Sequence, residues 1–251
     1  MVIPIVSLKG GVGKSTISIN LSDMLALEEK TILIDTDQQN SIASLFCKRY
    51  KAGFSELIFG EAELDDVILE IEENKNLHII PTGMYAIEQP IVYEDEFNPK
   101  RLKKILSELS RRYKYMIFDT SPRISKPVTS LLDVADFFII VITPDPASVA
   151  SLKIFLETIE EKEIKADYSI IVNNMQPDQI SEDFFAFIQA ISQNNILGTL
   201  PRDETVLEAS GECTTVRLYD DSSAFTKNME KVVTNLKKRL KEVENAYRNF
   251  G

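Results

Sequence analysis

Short apolar runs alternate with longer segments of mixed polarity along most of the chain. The first run, residues 2–8, leads into three glycines within four residues, and a helical spacing of apolar side chains follows at Ile17, Leu21 and Leu25. This order predicts a strand, a loop and a helix. Further apolar runs of strand length predict strands at residues 31–35, 77–81, 115–119, 137–143, 169–173 and 196–200.

The alternation of strands and helices predicts an α/β fold, with a doubly wound and mostly parallel sheet that carries helices on both faces. At 251 residues the chain fits one such domain, residues 1–251, better than two. Because these sheets bind their ligands where the strands end, the carboxyl ends of the strands should meet along one rim. The residues predicted at this rim are 9–15, 35–37, 119–122, 143–146 and 173–174.

The charge of the chain is strongly acidic, with a formal net charge of -11. This value argues against a protein covered in basic surface for nucleic acid, so basic patches have to be considered locally. Residues 61–76 hold seven acids and one lysine. We expect them to form a solvated loop and helix away from the rim.

The composition, 44% hydrophobic and 27% charged residues, is that of an ordinary globular protein rather than a disordered one. The longest apolar run, residues 137–142, is too short to cross a bilayer as a helix. The glycine loop begins near residue 9 and leaves no room for a secretion signal before it. We therefore expect a cytoplasmic protein.

The chain has two cysteines, Cys47 and Cys213, which lie far apart and form no Cys-x-x-Cys pair. This spacing suggests neither a disulfide framework nor a four-sulfur metal site. We expect two reduced thiols with a structural role, because free cysteine is usually buried.

The segment Lys9-Gly-Gly-Val-Gly-Lys-Ser15 lies between the first predicted strand and the first predicted helix. Its glycines let successive N–H groups point inward, and the helix N-terminus adds a favourable field for anions. The segment predicts a phosphate cradle for ATP, in which Lys14 contacts the β- and γ-phosphates and the Ser15 hydroxyl binds Mg²⁺. The predicted nucleotide-binding residues of this loop are Gly10, Gly11, Val12, Gly13, Lys14, Ser15 and Thr16.

Two of the predicted strands end in aspartate close to this loop. One runs into Asp35-Thr-Asp37, and the other, Tyr115-Met-Ile-Phe, runs into Asp119. Together with the loop, these carboxylates supply the parts that phosphoryl transfer needs, namely a cradle, metal ligands and a group that orients water.

The loop has Leu8 where the usual phosphate loop has glycine, and Lys9 followed by Gly-Gly-x-Gly-Lys-Ser resembles the deviant Walker A loop of the ParA/MinD ATPase family. The resemblance implies that Lys9 reaches across a homodimer to the nucleotide of the partner subunit. It also implies that Asp37 positions the attacking water. Lys9, Lys14 and Asp37 are thus the predicted catalytic residues.

The resemblance extends to the metal site and the two switch segments. It implies that Mg²⁺ is bound by Ser15, with Asp35 in its outer shell and Asp119 acting through water. The family often has proline where this chain has Gln38, and Pro-Pro where it has Ser121-Pro122.

A base-binding region is predicted at the ends of the last two strands. Asn173 and Asn174 end one of them, and an asparagine amide presents both a donor and an acceptor to the edge of adenine. The resemblance implies that one of the two reads the base, and the sequence leaves open which one. The segment around Pro201, Leu-Pro-Arg, is similar to the family's Ile-Pro-Arg, which closes over the adenine.

Among the branches of the family, the chain is most similar to ParA (Soj-like) partition ATPases. Carriers of iron–sulfur clusters need bridging cysteines, commonly Cys-x-x-Cys, which this chain lacks. Residues 100–114 hold seven basic residues against one acid, and residues 226–248 hold seven against three. We expect an ATP-bound homodimer to bind non-specific DNA through such segments, associated with the nucleoid, and a ParB-like partner to stimulate its slow hydrolysis.

Two alternatives stay open. One is a membrane-positioning ATPase of the MinD type, which would need an amphipathic helix at the C-terminus. The other is an ATP-binding signalling module with little hydrolysis. The C-terminal segment does carry an apolar stripe that would suit membrane binding, but a helix packed on the sheet also explains it. The stripe consists of Val232, Val233, Leu236, Leu240, Val243 and Tyr247.

Overall fold

The computed structural model describes residues 1–250, with side chains described through Ala246. Within these residues eight strands form one sheet in the order β3-β4-β2-β5-β1-β6-β7-β8. Neighbouring strands are parallel except for the antiparallel pair β3 and β4. The strands are β1 (Val2–Val6), β2 (Thr31–Asp35), β3 (Leu69–Glu70), β4 (Leu77–Ile80), β5 (Tyr115–Asp119), β6 (Phe137–Ile142), β7 (Asp167–Met175) and β8 (Ile196–Pro201).

Helices connect the parallel strands and cover both faces of the sheet, which confirms the predicted doubly wound α/β fold. They are α1 (Lys14–Leu25), α2 (Ser41–Leu45), α3 (Phe54–Phe59), α4 (Leu64–Val67), α5 (Met84–Glu88), α6 (Pro90–Asp95), α7 (Pro99–Leu109), α8 (Lys126–Leu132), α9 (Pro146–Glu161), α10 (Gln179–Ile191), α11 (Thr205–Gly211), α12 (Val216–Tyr219) and α13 (Ala224–Phe250).

The central strands are buried on both faces, as their uninterrupted apolar sequences require. Because side chains alternate along a strand, Ile3 and Ile5 of β1 pack with α1 and α13, whereas Val6 packs with α8 and α9 on the other face. Asp35 and Asp119 end their strands on the α1 side, since each lies two residues beyond a side chain of that face. The fold therefore directs both carboxylates toward the start of α1.

The acidic segment 61–76 differs in one respect from the predicted loop and helix. It contains α4, but it also contains β3, which pairs Leu69 with Ile79 and Glu70 with His78 at the edge of the sheet. The expectation was wrong on this point because a two-residue strand is too short to show an alternation of polar and apolar positions.

The expectation of two separate reduced thiols was wrong. Cys47 and Cys213 form a disulfide with their Cα atoms 5.7 Å apart. Cys47 lies just after α2, which packs against α1, and Cys213 lies just after α11, three residues before Val216, whose N–H donates to Asn20 of α1. A separation of 166 residues gave no local signal for this pairing.

The C-terminal apolar stripe belongs to the core. Val232, Val233, Leu236, Leu240 and Val243 are all buried, and α13 packs against β8 and α1. The side chain of Tyr247, which completes the predicted stripe, lies outside the described residues. No helix in the described part of the chain is long and apolar enough to cross a membrane.

Candidate functional site

The predicted rim residues meet at the carboxyl ends of the parallel strands, around the loop between β1 and α1. A cavity of about 390 Å³ is lined by residues 9–16 together with Asp37 and Pro122. A second cavity of about 540 Å³ lies across the same loop and is lined by Asn173, Asn174 and Pro201. Gly11, Val12, Gly13 and Thr16 line both. The loop therefore lies between two compartments and lines both of them. We name the first of these cavities the phosphate-loop compartment.

The conformation of the loop depends on Gly13. Its φ of 87° lies in the left-handed region, and a Cβ at this position would lie 2.2 Å from the Asn173 side-chain nitrogen. That nitrogen donates to the Val12 carbonyl oxygen at 2.8 Å and so ties the loop to the end of β7. Helix α1 begins directly after Gly13, and no side chain caps it. Its first N–H groups therefore face the cavity in the arrangement that binds phosphate.

Lys14 is buried between two carboxylates. Its Nζ lies 3.0 Å from Asp119 Oδ1 and 3.9 Å from Asp37 Oδ2. Ser18, one helical turn after Lys14, donates to the same Asp119 oxygen at 3.0 Å. Sequence reasoning missed Ser18, although its i+4 spacing from Lys14 was the signal that could have found it. The other oxygen, Asp119 Oδ2, is buried and has no hydrogen-bond partner in the described part of the chain.

Asp35 lies beneath this group and is fully buried. It accepts the N–H of Asp37 at 2.9 Å and the N–H of Ile42 at 3.1 Å. Burial, followed by the nearby carboxylate of Asp119, raises the pKa of Asp35 well above its usual range. Burial also raises the pKa of Asp37, against the opposing effects of the Gln39 N–H and Lys14. Asp35 and Asp37 thus lie close to Asp119, and the ammonium group of Lys14 contacts Asp37 and Asp119, so a further cation would relieve this excess of carboxylates.

The oxygen atoms in and beside the phosphate-loop compartment fit Mg²⁺. This ion prefers oxygen ligands and is commonly held by one or two carboxylates, phosphate oxygens and water. The Ser15 hydroxyl lines the compartment, and the unpartnered Asp119 Oδ2 is the kind of atom that a metal-bound water satisfies. Residues 1–246 contain no group of three or more His, Cys, Asp and Glu side chains that forms a metal site by itself. The donor set therefore suits a metal that arrives with a nucleotide.

Lys9 also lines the phosphate-loop compartment, and its side chain is partly exposed. Its Nζ donates to both carboxylate oxygens of Asp145 at 2.9 Å. Asp145 also caps α9 by accepting the Ser148 N–H at 3.0 Å. The loop lysine is therefore directed toward α9 rather than toward the interior of its own phosphate loop.

The two asparagines at the end of β7 differ in their surroundings. Asn173 is half-buried and bound to the loop through Val12, as described above. Asn174 is exposed and has a φ of 60°. Pro201 ends β8 on the opposite side of the same cavity, next to Arg202 and close to Phe225. Both asparagines thus remain available to a planar ligand held there.

A larger cavity, about 690 Å³, lies at the amino ends of β7 and β8 and is lined by polar residues such as Asn194, Asn195 and Lys238. It contains none of the predicted site residues. The candidate chemistry is concentrated instead at the carboxyl rim, where parallel sheets bind their ligands.

Comparison with known proteins agrees with this geometry. A family model described as an AAA domain matches residues 1–178, the part of the chain that carries the phosphate loop, Asp37 and Asp119. This chain belongs to the ParA/MinD family of deviant Walker A ATPases. The septum site-determining protein MinD of Neisseria meningitidis is 26% identical to it over 94% of this chain and 90% of that protein.

Solved structures share the fold. A plasmid partition protein of Borrelia burgdorferi has a TM-score of 0.78 at 24% identity, covering 94% of this chain and 97% of that one. MinD of Pyrococcus horikoshii, complexed with Mg-ADP, has a TM-score of 0.78 at 21% identity, covering 94% of this chain and 95% of that one. The ParA/MinD fold therefore extends over nearly the whole chain, beyond the range of the family model.

Proposed function

We propose that this ParA/MinD family member is a ParA-like switch in plasmid or chromosome segregation. It binds Mg-ATP, forms a homodimer that encloses two nucleotides, and in that state binds DNA without sequence preference. Hydrolysis is slow until a ParB-like protein stimulates it. The observation that carries the nucleotide chemistry of this proposal is the position of Lys14, which lines the phosphate-loop compartment and lies between Asp37 and Asp119.

In the proposed ATP complex, Gly10, Gly11, Val12, Gly13, Lys14, Ser15 and Thr16 hold the phosphates. Lys14 exchanges its contact with Asp119 for the β- and γ-phosphates, which leaves Asp119 Oδ1 with the Ser18 hydroxyl alone and Oδ2 still without a partner. Ser15 binds Mg²⁺ directly, whereas Asp119 and Asp35 act in its outer shell. The bound metal neutralises the charge that develops on the phosphate oxygens.

Asp37 is the proposed water-positioning residue. One of its oxygens accepts the Gln39 N–H at 3.1 Å, and the other faces Lys14 across 3.9 Å. A carboxylate fixed in this way next to the γ-phosphate position orients a water molecule for in-line attack. Because Asp37 is not required to hold the nucleotide, its removal should slow hydrolysis while leaving ATP binding intact.

The remaining parts of the proposed complex lie on either side of the loop. Asn173 or Asn174 reads the adenine edge, and Pro201 closes over the ring. Lys9 leaves Asp145 and contacts the phosphates bound to the partner subunit. A dimer formed in this way is stable only while ATP is present, which is the property that a switch requires.

The proposed DNA contacts come from exposed basic side chains that form no ion pair in the described part of the chain. In the segment 100–114, Arg101 donates to the Leu57 carbonyl, and three more basic residues pair with acids. The side chains left for phosphate contacts in that segment are Lys100, Lys103 and Arg111, and on α13 they are Lys227, Lys231, Lys238 and Lys241. Dimerisation doubles each group, so an acidic protein can still hold DNA in its ATP state.

The test is co-sedimentation of Asp37→Ala protein with non-specific DNA, and separately with anionic liposomes, at two salt concentrations in ATP and Mg²⁺. We expect salt-sensitive binding to DNA alone, lost in ADP and weakened in an Asp37→Ala protein that also carries Lys103→Glu and Arg111→Glu. The control is Lys75→Glu, which makes the same charge reversal as either one of these substitutions, at an exposed site outside both basic segments.

Other outcomes would assign a different role. Binding to liposomes alone would indicate a MinD-like positioning ATPase. The apolar stripe of α13 argues against this outcome, because its side chains are buried in the core as far along the helix as Val243. Binding to neither surface would leave only the nucleotide switch. A phosphate-release assay then separates an ATPase from an ATP-binding signalling module, because the latter shows no steady-state turnover.

A further inference from the structure

Three side chains outside the phosphate-loop compartment form a closed hydrogen-bonded group. Gln38 Nε2 donates to Glu94 Oε1 at 2.8 Å, and Arg123 Nη2 donates to Gln38 Oε1 at 3.1 Å. Arg123 also donates to the same oxygen of Glu94. We name Gln38, Glu94 and Arg123 the coupling cluster. Each member contacts the other two, so displacement of one disturbs both of its contacts.

The coupling cluster joins three segments that are distant in the sequence. Gln38 directly follows Asp37, and Arg123 follows Pro122, which lines the phosphate-loop compartment. Glu94 lies on α6, whose neighbouring residue Tyr93 is buried in the core and packs its ring against Phe97. Helix α6 is thus a fixed support, and the loops after β2 and β5 are both attached to it.

Asp37 is consequently held from two sides. On the inner side the Asp37 N–H donates to the Asp35 carboxylate, and the Gln39 N–H donates to the Asp37 carboxylate. On the outer side the adjacent residue, Gln38, is anchored by Glu94 and Arg123. The position of the Asp37 carboxylate therefore depends on contacts outside the compartment as well as on those within it.

We propose that the coupling cluster positions Asp37 for ATP hydrolysis by tying the loop after β2 to the loop after β5 through α6. The family often has proline at position 38, which stiffens the main chain itself. In this chain the side chain of Gln38 supplies the constraint instead, through Glu94 and Arg123. The three are positioning residues, and the inference rests on the proposed ATPase function.

Removal of these contacts should affect turnover more than folding. Arg123 is 56% exposed and Glu94 23% exposed, and an ion pair of this kind contributes little to stability. In contrast, a displacement of about 1 Å at a catalytic group can cost about 100-fold in rate. The effect of the cluster should therefore appear in the hydrolysis rate and leave ATP affinity nearly unchanged.

The experiment compares Gln38→Ala, Glu94→Ala and Arg123→Gln in the full chain, since alanine at position 94 removes the oxygen that accepts from both other members. Single-turnover hydrolysis of ATP and the Kd for a fluorescent ATP analogue are measured for each variant. We expect each variant to lower the rate at least about tenfold with the Kd within about threefold of wild type. The double variant Gln38→Ala/Arg123→Gln should be no slower than the slower single variant, because contacts within one network are not additive.

Two further variants separate positioning from a general structural effect. Arg123→Lys keeps a cation that can donate to both neighbours, so it should retain most of the rate. Lys126→Gln is the matched control. Lys126 donates to the Asp95 carbonyl of α6, the helix that carries Glu94, at 2.7 Å, but it does not contact Gln38. We expect that variant to behave like wild type.

The outcomes are distinguishable. If the wild type hydrolyses ATP and Gln38→Ala and Glu94→Ala do so within twofold of it, the coupling cluster is overturned and the proposed function stands. A slow Arg123→Gln with normal Gln38→Ala and Glu94→Ala would also overturn it, since Arg123 would then act alone. A wild type that neither binds nor hydrolyses ATP would overturn the proposed function and the positioning role with it.

Discussion

The ammonium group of Lys9 lies 2.9 Å from the carboxylate of Asp145 within the same subunit. Burial raises the pKa of Asp145, but hydrogen bonds from Thr143, Lys9 and Ser148 outweigh it and bring the net pKa well below its usual range. The aspartate is therefore charged at neutral pH and holds the lysine that we propose for the partner's nucleotide. In the proposed dimer, Lys9 exchanges this contact for phosphate.

We predict that Asp145→Asn favours the ATP-bound dimer. Asparagine still caps α9, as aspartate does, but it no longer pairs with Lys9. A partly exposed pair is worth about 0–1 kcal/mol, so the dimer dissociation constant should fall by up to about fivefold for each lysine released. Sedimentation velocity in ATP and Mg²⁺ over a protein dilution series measures the change.

Asp178→Asn is the control for this variant, because Asp178 caps α10 in the same way but makes no ion pair among the described residues. A dimer that is weaker in Asp145→Asn than in wild type would contradict the prediction. It would show that Asp145 supports the interface instead of restraining Lys9.

Lys14→Ala should abolish measurable binding of ATP. Lys14 is the only cation within 4 Å of Asp37 and Asp119 among the described residues. Its proposed hydrogen bonds to the β- and γ-phosphates would each contribute about 1.5–3 kcal/mol, and the variant loses both. Without nucleotide the variant should also lose about 3–5 kcal/mol of stability, because two buried carboxylates lose their partner. Titration with a fluorescent ATP analogue and urea denaturation measure the two effects.

Lys75→Ala, a truncation at an exposed lysine, serves as the control and should change neither quantity. Full ATP affinity in a folded Lys14→Ala protein would refute the assignment of the phosphate loop.

Asp35 should make the stability of the nucleotide-free protein depend on pH. Its pKa is raised above the usual 3.8 by burial and by Asp119, so the folded protein binds this proton more tightly than the unfolded chain does. The contribution of Asp35 is then fully present below about pH 4 and is lost as pH rises through the folded-state pKa. Urea denaturation of wild type and Asp35→Asn between pH 5 and pH 8 isolates this contribution.

We expect the stability of wild type, relative to Asp35→Asn, to decline as pH increases across that range. A constant difference between the two proteins would mean that Asp35 is ionised throughout. With Mg-ATP bound, the decline in wild type should be smaller, because the metal offsets the charge of the carboxylates.

The sequence was sufficient for those parts of the site whose signals are local. The phosphate loop is one contiguous segment, and Asp35 and Asp119 could be found because each ends a buried strand. The strands themselves were predicted within a few residues, except for β3. These features depend on spacing along a few neighbouring residues, which a single sequence displays.

Contacts between distant segments were not predictable in this way. Glu94 meets Gln38 across 56 residues, and α6 is too short to show a helical period. Asp145 was placed at the rim by its position after β6, but its pairing with Lys9 depends on the packing of α9. The surroundings of Asp37 therefore include residues that carry no motif, in addition to Lys14 and Asp35.

The Cys47–Cys213 disulfide should stabilise the fold by constraining the unfolded chain. The pairing spans 166 residues, and bridges that close long loops contribute about 2–4 kcal/mol. Cys47→Ser and Cys213→Ser should each lower the free energy of unfolding by this amount without reductant, and the double variant should lower it no further. With reductant, wild type should match the variants. Alkylation of the wild type, unfolded without reductant, tests the bond directly, and we expect neither cysteine to be modified. Modification of both cysteines, together with unchanged stability of Cys47→Ser, would contradict the disulfide.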